Sequence, residues 1–295
     1  MKIIKSINQQ RTIKLCYHSY HKKVMPAIVI IPSRYASTRF PGKPLCPLLG
    51  KPMIQHVYER VREAKLVKDA FVATDDRRIR DAVEGFGGKV LMTSEEHQSG
   101  TDRIAEAVVK LADAGYGIQE GDTVVNVQGD EPMIMPEMVD GVIRLMEDKK
   151  ASIGTLARRI EDAAEIANPD VVKVVFNAEG FALYFSRAPI PYHRDSNKLP
   201  ATNNELKGNN SENSLLNKVT RDYFKHIGIY AYRKEVLLKF SQLPPTKLER
   251  TEKLEQLRAL ENGFAIKVSK TVFDTIGVDT PLDLERVEKC LSLSS

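Results

Sequence analysis

Ala27-Ile28-Val29-Ile30-Ile31 is a continuous run of apolar, mostly β-branched residues. Such a run suits a strand covered on both faces, as inside a parallel sheet. Beyond a loop, Ile54, Val57, Tyr58, Val61 and Ala64 recur at helical spacing. A short apolar run follows at Ala70 to Ala73, then a helical pattern through Ile79, Ala82, Val83 and Phe86. Lys89 to Thr93 reads as a strand, Ile104, Ala107, Val108 and Leu111 as a helix, and Thr123 to Val127 as a further buried strand. Strand and helix thus alternate through the first half, which predicts βαβ units and a doubly wound parallel sheet. In such a sheet ligands belong in the loops beyond the carboxyl ends of the strands.

The second half has a different rhythm. Val171 to Phe176 and Phe181 to Phe185 flank Asn177-Ala178-Glu179-Gly180, a hairpin signal. His226 to Tyr232 reads as another strand. Residues 194 to 222, rich in Asn, Ser and Lys, read as a long excursion. Helical spacing returns at Leu254, Leu257 and Leu260. A last helix opens at Thr280-Pro281, with Thr as N-cap, Pro in the first helical position and Asp283 two residues further on. These breaks give a basic extension over 1–24, an α/β part over 25–150, and a second part over 151–295 that completes the same domain.

Charge changes the picture only at the front. The 295 residues carry a net charge of +5, but six of the 44 basic residues precede position 25 with no acid among them. The rest holds 38 basic against 39 acidic residues, a net charge of about −1. This balance gives no polyanion-binding signal and argues against nucleic acid as a partner. The basic front lacks the apolar core of a secretory peptide, and Met25, just before the first buried strand, reads as the functional start. No apolar run is long enough to span a membrane. Cys16, Cys46 and Cys290 contain no C-x-x-C pair and give no disulfide framework or zinc site, which suits a reducing cytoplasm.

The strongest chemical signal follows the first strand, in Ser33-Arg34-Tyr35-Ala36-Ser37-Thr38-Arg39-Phe40-Pro41-Gly42-Lys43. Arg34, Arg39 and Lys43 place three cations in ten residues with no acid between them. Ser33, Ser37 and Thr38 add hydroxyls, and Gly42 lets the backbone approach a ligand closely. A loop of this composition can surround a triphosphate with charge-assisted bonds and backbone N–H groups. Lys43 is followed by Pro44, so this is no Walker A loop, and G-x-G-x-x-G is missing as well.

The run Ile31 to Leu45 resembles the start of the 3-deoxy-manno-octulosonate cytidylyltransferases (CMP-Kdo synthetases). The resemblance continues through Gly50 to Ile54, Thr74-Asp75, His97 to Arg103, Asn126 to Pro132, Leu183 to Arg187, His226 to Tyr230, Leu254 to Arg258 and Gly277 to Pro281. It implies a three-layer, mostly parallel, Rossmann-like nucleotide-diphospho-sugar transferase sheet. A smaller mixed β/α part would serve sugar binding and dimerisation. The implied enzyme activates 3-deoxy-manno-octulosonate with CTP, in the cytoplasm, as a homodimer serving lipopolysaccharide biosynthesis.

The resemblance also implies roles. Asp130 and Asp279 match Mg²⁺-binding aspartates and, with Arg34 and Lys43, make the catalytic set. Ser33, Arg34, Ser37, Arg39, Lys43, Thr74, Asp75, Ser99 and Arg103 match the nucleotide side. Gln128, Arg187, His226, Tyr230, Glu255 and Gln256 match the sugar pocket. Read without the resemblance, several have plainer roles: Thr74-Asp75 caps a helix, His226 packs in a strand, and Glu255 and Gln256 face solvent. Arg158-Arg159 and Tyr192-His193-Arg194 are more basic than the family pattern. The rival readings are a cytidylyltransferase for an acylneuraminate or an 8-amino sugar, and a non-catalytic nucleotide-binding module. A glycosyltransferase would call for D-x-D, where this chain has Gln128-Gly129-Asp130.

Overall fold

The computed structural model describes residues 26–36, 39–194 and 222–294. The basic extension, Met25, Ser37, Thr38 and nearly all of the predicted excursion lie outside the described residues.

The first apolar run becomes β1 (Ala27–Pro32), buried at every position. Two further strands, β2 (Pro47–Leu48) and β3 (Lys51–Pro52), form a separate ribbon. The main sheet then takes β4 (Val67–Thr74), β5 (Val90–Met92), β6 (Thr123–Asn126), β7 (Ile153–Arg159), β8 (Lys173–Phe176), β9 (Ala182–Ser186), β10 (Phe224–Arg233) and β11 (Ile266–Thr271). Its order is β11-β7-β10-β6-β1-β4-β5, and β8 joins β10 to β9. β1 pairs in parallel with both β4 and β6. Along this path only β10 runs against its neighbours, so the sheet is mostly parallel, as the alternation of elements predicts.

Alternate side chains of β1 serve opposite faces. Val29 and Ile31 pack with helix α1 (Met53–Glu63), α2 (Arg77–Gly85) and α4 (Pro136–Leu145) through Val57, Val83 and Val139. Ile28 and Ile30 meet Ile104 and Leu111 of α3 (Gly100–Asp113) and, further along that face, the cluster includes Phe240 of α6 (Lys234–Ser241). Helices therefore cover both faces, giving three layers. The short α5 (Ala163–Ala167), α7 (Lys247–Glu252) and α8 (Gln256–Glu261) belong to the second half. In α9 (Pro281–Ser294), Asp283 accepts from the Thr280 amide at 3.0 Å while Thr280 accepts from the Asp283 amide at 3.3 Å. This is the cap read from Thr280-Pro281.

Two strands escape the apolar pattern. β7 is buried over its first five residues but begins Ile-Gly-Thr, which breaks any β-branched run. Gly154 sits under α4, where a Cβ would lie 3.2 Å from Leu145 Cβ and the Val142 carbonyl. β11 alternates apolar and polar residues because it lies at the sheet edge beside β7.

At the amino end of β4, Asp69 is buried and accepts hydrogen bonds from Arg62, Lys89, Tyr116 and the Ala70 amide. Burial pushes its pKa up, but the bonds from Lys89 and Tyr116 outweigh this and hold it below the ordinary carboxylate value. Stability from this group is present above the unfolded-state pKa and is lost as the pH falls through the folded one. Asp69→Asn is expected to cost about 2 kcal/mol near neutral pH. The difference from wild type should shrink towards about pH 3, as urea melts at both pH values would show.

Candidate active site

The carboxyl ends of β6, β1 and β4 lie side by side, and the loops that leave β1 and β6 help to enclose a cleft of about 270 Å³. Ser33, Arg34, Arg39 and Lys43 line it from the first loop, Ser99 and Arg103 from the segment after β5, Gln128 and Asp130 from the loop after β6, and Asp279 from the loop before α9. The structure thus gathers nine of the sequence-predicted residues around one space. Pro44, His97 and Gln98 also line the cleft. His97 and Gln98 lie inside the quoted His97-to-Arg103 motif, which was the signal for them.

Close packing shapes the loops. Gly129 fits where a Cβ would stand 2.9 Å from the Pro32 carbonyl, so the loop after β6 can lie against the end of β1. Gly42 has φ of 72°, in the left-handed region. Its amide donates to the Tyr35 carbonyl at 2.9 Å, closing the first loop on itself. Lys43 then starts a single 3-10 turn, Lys43–Leu45.

Lys43 is the electrostatic centre. Its Nζ donates to Asp130 Oδ2 at 2.5 Å, to the Val278 carbonyl at 2.8 Å and to Asp279 Oδ1 at 3.2 Å. Arg39 Nη2 pairs with the other oxygen of Asp279 at 3.0 Å. Two carboxylates from distant parts of the chain therefore converge on one cation. The Val278 amide also donates to the Asp130 carbonyl at 2.9 Å, which stitches the two carboxylate-bearing loops together. Asp274 anchors the same loop to the sheet by accepting from Arg158 at 2.5 Å and Lys225 at 2.9 Å. The extra basic residue at position 158 thus acts as a tether. Beside Asp130, burial and then the Asp130 charge push Glu131 up to about 7.

On the opposite wall Ser99 caps α3 by accepting from the Asp102 amide at 3.1 Å. The first turn of this 14-residue helix meets the cleft at Gly100, which puts backbone N–H groups and the positive end of the helix dipole there. The buried Ser33 hydroxyl has no hydrogen-bond partner among the described residues, which suits a group that binds a ligand. Arg103 is 3% exposed and donates to Thr93 Oγ1 at 2.6 Å and to Asp75 Oδ2 at 2.5 Å. Asp75 is therefore reached through Arg103. Thr74 caps the turn, accepting from the Asp76 amide at 3.2 Å, and Asp76 rather than Asp75 is the N-cap of α2.

Of the residues matched to the sugar side only Gln128 lines this cleft; His226, Tyr230, Glu255 and Gln256 form a separate group in the second half. β10 bulges between Ile227 and Tyr230: His226 stands opposite Ala157 and Tyr230 opposite Thr155. Two extra residues on β10 shorten the step along the sheet and bring the His226 and Tyr230 rings to 5.3 Å. The Thr155 hydroxyl holds this bulge. It lies 2.8 Å from the Ile229 carbonyl, 3.2 Å from the Ile227 carbonyl and 3.0 Å from His226 Nε2. Burial pushes His226 down to about 3, so its ring is neutral near pH 7 and serves as a hydrogen-bonding group. Burial, with the nearby Glu255 carboxyl, pushes Tyr230 up.

Glu255 accepts from the Thr101 hydroxyl at 2.6 Å, joining this group to the first turn of α3 beside the cleft. Burial raises its pKa. Gln256 is only 7% exposed, so the helix face bearing it points inward, against the solvent-facing expectation. Arg187 is placed differently. Its Nε donates to the Glu252 carbonyl at 2.8 Å and its Nη1 to the Pro169 carbonyl at 2.9 Å, and it does not line the cleft. It follows Phe185, whose ring lies edge-on to His226 at 5.2 Å. Ser37 lies outside the described residues. Thr101 lies inside the same His97-to-Arg103 motif, whereas Thr155 carries no sequence signal as a site residue, because a threonine in a strand is ordinary.

Comparison with known proteins follows the same outline. The sequence model of the family described as "Cytidylyltransferase" matches residues 28–271. A 3-deoxy-manno-octulosonate cytidylyltransferase of Thermodesulfovibrio yellowstonii is 54% identical, over 92% of this chain and all of its own length. An 8-amino-3,8-dideoxy-manno-octulosonate cytidylyltransferase of Shewanella piezotolerans is 48% identical, over 91% of this chain and all of its own. Among solved structures, a CMP:2-keto-3-deoxy-manno-octonic acid synthetase complexed with CTP superposes with a TM-score of 0.76. It is 44% identical and covers 92% of this chain and all of that one.

Proposed function

The chain belongs to the cytidylyltransferase family, and on that premise we propose that it transfers CMP from CTP to a hydroxyl of 3-deoxy-manno-octulosonate and releases pyrophosphate. The observation that carries this reading is the convergence of Lys43 and Arg39 with Asp130 and Asp279 in one cleft at the strand ends. Release of pyrophosphate that requires CTP and the sugar together is the experiment that tests it.

The reaction brings a sugar hydroxyl to the α-phosphorus while negative charge builds on the leaving pyrophosphate. Positioning and charge neutralisation are therefore the protein's main tasks. Lys43 and Arg39 take the β- and γ-phosphates, and Arg34 lies nearer the α-phosphate. Ser33 and the first turn of α3 add neutral donors, which stabilise phosphate oxygens without a counter-charge. Asp130 and Asp279 would hold Mg²⁺. Both carboxylates already meet at one ammonium, and hard oxygens are the donors that ion takes. Mg²⁺ held by two carboxylates would take its other ligands from water and substrate phosphate. When bound, Mg²⁺ would neutralise phosphate charge and orient the transferring group.

The base is read by the edge that Arg103, Asp75 and Thr93 build. A lysine at 103 cannot reproduce the planar fork that serves both partners. Arg103→Lys is expected to raise the KM for CTP about tenfold, with a smaller change in kcat. Steady-state kinetics with CTP varied would check this. On the sugar side, Gln128, the neutral His226, Tyr230, Glu255 and Gln256 offer donors and acceptors for several hydroxyls. Arg187 is the cation that its motif offers for the carboxylate, but its Nε and Nη1 are already engaged by the Glu252 and Pro169 carbonyls, so it would have to turn or use Nη2 to reach the sugar.

We place the reaction in the cytoplasm, where CTP is made, as the activating step for lipopolysaccharide assembly. Among the described residues no helix is long and apolar enough to cross a membrane. The enzyme acts as a homodimer. The dimer reading rests on the family resemblance.

A further inference from the structure

Arg78, on the first turn of α2, is not among the residues that line the cleft. Its Cζ lies 3.3 Å from the centroid of the Tyr35 ring, so the guanidinium is in close contact with the aromatic face. Asp76 fixes its orientation from the other side: Nε meets Oδ1 at 3.0 Å and Nη2 meets Oδ2 at 2.6 Å. Asp76 is itself held, because Oδ1 accepts from the Arg78 amide at 2.8 Å as the cap of α2. The guanidinium is thus anchored to a helix end and presented to one ring.

That ring is the brace of the first loop. Tyr35 packs against the core beneath β1 and α1. Its carbonyl accepts from the Gly42 amide at 2.9 Å, and a Cβ on Gly42 would lie 2.9 Å from its hydroxyl end. Both contacts bear on the residue just before Lys43. A shift of Tyr35 would therefore move the backbone that sets Lys43 against Asp130 and Asp279.

We propose that Arg78 is a positioning residue for nucleotide binding: held by Asp76 and stacked on Tyr35, it fixes the brace that spaces Arg34, Arg39 and Lys43. This rests on the reading of the first loop as the triphosphate site. A stack at an exposed position is a modest interaction, and the Arg78 side chain is 59% exposed, so its loss should be felt in the loop and not in the fold.

The test is the affinity of the full chain for CTP with Mg²⁺, measured by titration calorimetry. Arg78→Ala should weaken binding about three- to tenfold. Its thermal midpoint, and the KM for the sugar, should be unchanged. Arg78→Lys should restore little, because an ammonium does not stack flat. Tyr35→Phe should bind as wild type, and Tyr35→Leu should lose at least as much as Arg78→Ala. In the Tyr35→Leu background, adding Arg78→Ala should change nothing further. Wild-type affinity in Arg78→Ala overturns the proposal. Additive losses in the double variant also overturn it, because Arg78 would then act on the nucleotide without the ring. A wild-type chain that binds no CTP overturns the nucleotide reading itself, and the inference falls with it.

Discussion

Lys43→Ala is expected to lower kcat/KM for pyrophosphate release by about a thousandfold, the scale seen when a charged group aimed at a transferring phosphoryl is removed. Lys43 touches Asp130, Asp279 and the Val278 carbonyl through one nitrogen. Its loss removes a phosphate ligand and also leaves two carboxylates facing incoming negative charge. Both effects oppose CTP, so KM and kcat should worsen together. Lys43→Arg should recover only part of the activity, because a planar fork cannot donate along the three directions that the ammonium uses here. Activity of Lys43→Ala within fivefold of wild type would show that the centre of the cleft has been misassigned.

The second large effect is expected at the carboxylates. Asp130→Asn and Asp279→Asn should each lower kcat by about a hundredfold or more, since each replaces one of two charged ligands of the proposed Mg²⁺ site by a neutral, weaker amide oxygen. The Mg²⁺ concentration for half-maximal rate should rise in both. Asp279 also pairs with Arg39 at 3.0 Å and lies beside the Thr280–Asp283 cap, so its variant needs a structural control. Asp283→Asn supplies one: it weakens the cap and leaves both proposed metal ligands in place. Near-normal turnover of Asp279→Asn in saturating Mg²⁺ would remove that residue from the metal site.

Much of this site is legible in the sequence, for reasons that particular residues make plain. Ala27 to Ile31 can only be a strand buried on both faces, which puts Ser33 to Lys43 at a carboxyl end where a cationic loop meets ligand. The α/β alternation then carries Asp75, Ser99 and Asp130 to the same edge. The cap at Thr280-Pro281 is local chemistry and is read directly. What is hidden depends on tertiary partners. The motif offers Arg103 as a nucleotide-side residue, but that Asp75 and Thr93 enclose it is visible only in the fold. Gln256 reads as exposed because its neighbours are charged, yet it is buried. The bulge at Gly228-Ile229 leaves no trace in the hydrophobic pattern, although it brings His226 to Tyr230 and depends on the hydroxyl of Thr155. Arg187 is the reverse case: the motif that contains it is clear, but its guanidinium is engaged by the backbone of 169 and 252.

The 8-amino sugar of the Shewanella relative differs from 3-deoxy-manno-octulosonate at one substituent, far from the phosphate chemistry, so the phosphate side of the cleft cannot distinguish the two. The most direct measurement is therefore pyrophosphate release by the purified full chain from CTP and Mg²⁺. It should be run with 3-deoxy-manno-octulosonate, its 8-amino counterpart, an acylneuraminate, or no sugar. Release should need CTP and be fastest with 3-deoxy-manno-octulosonate, and none should occur when sugar is left out. Release with the acylneuraminate alone, or none with any of the three sugars, would contradict the proposed function.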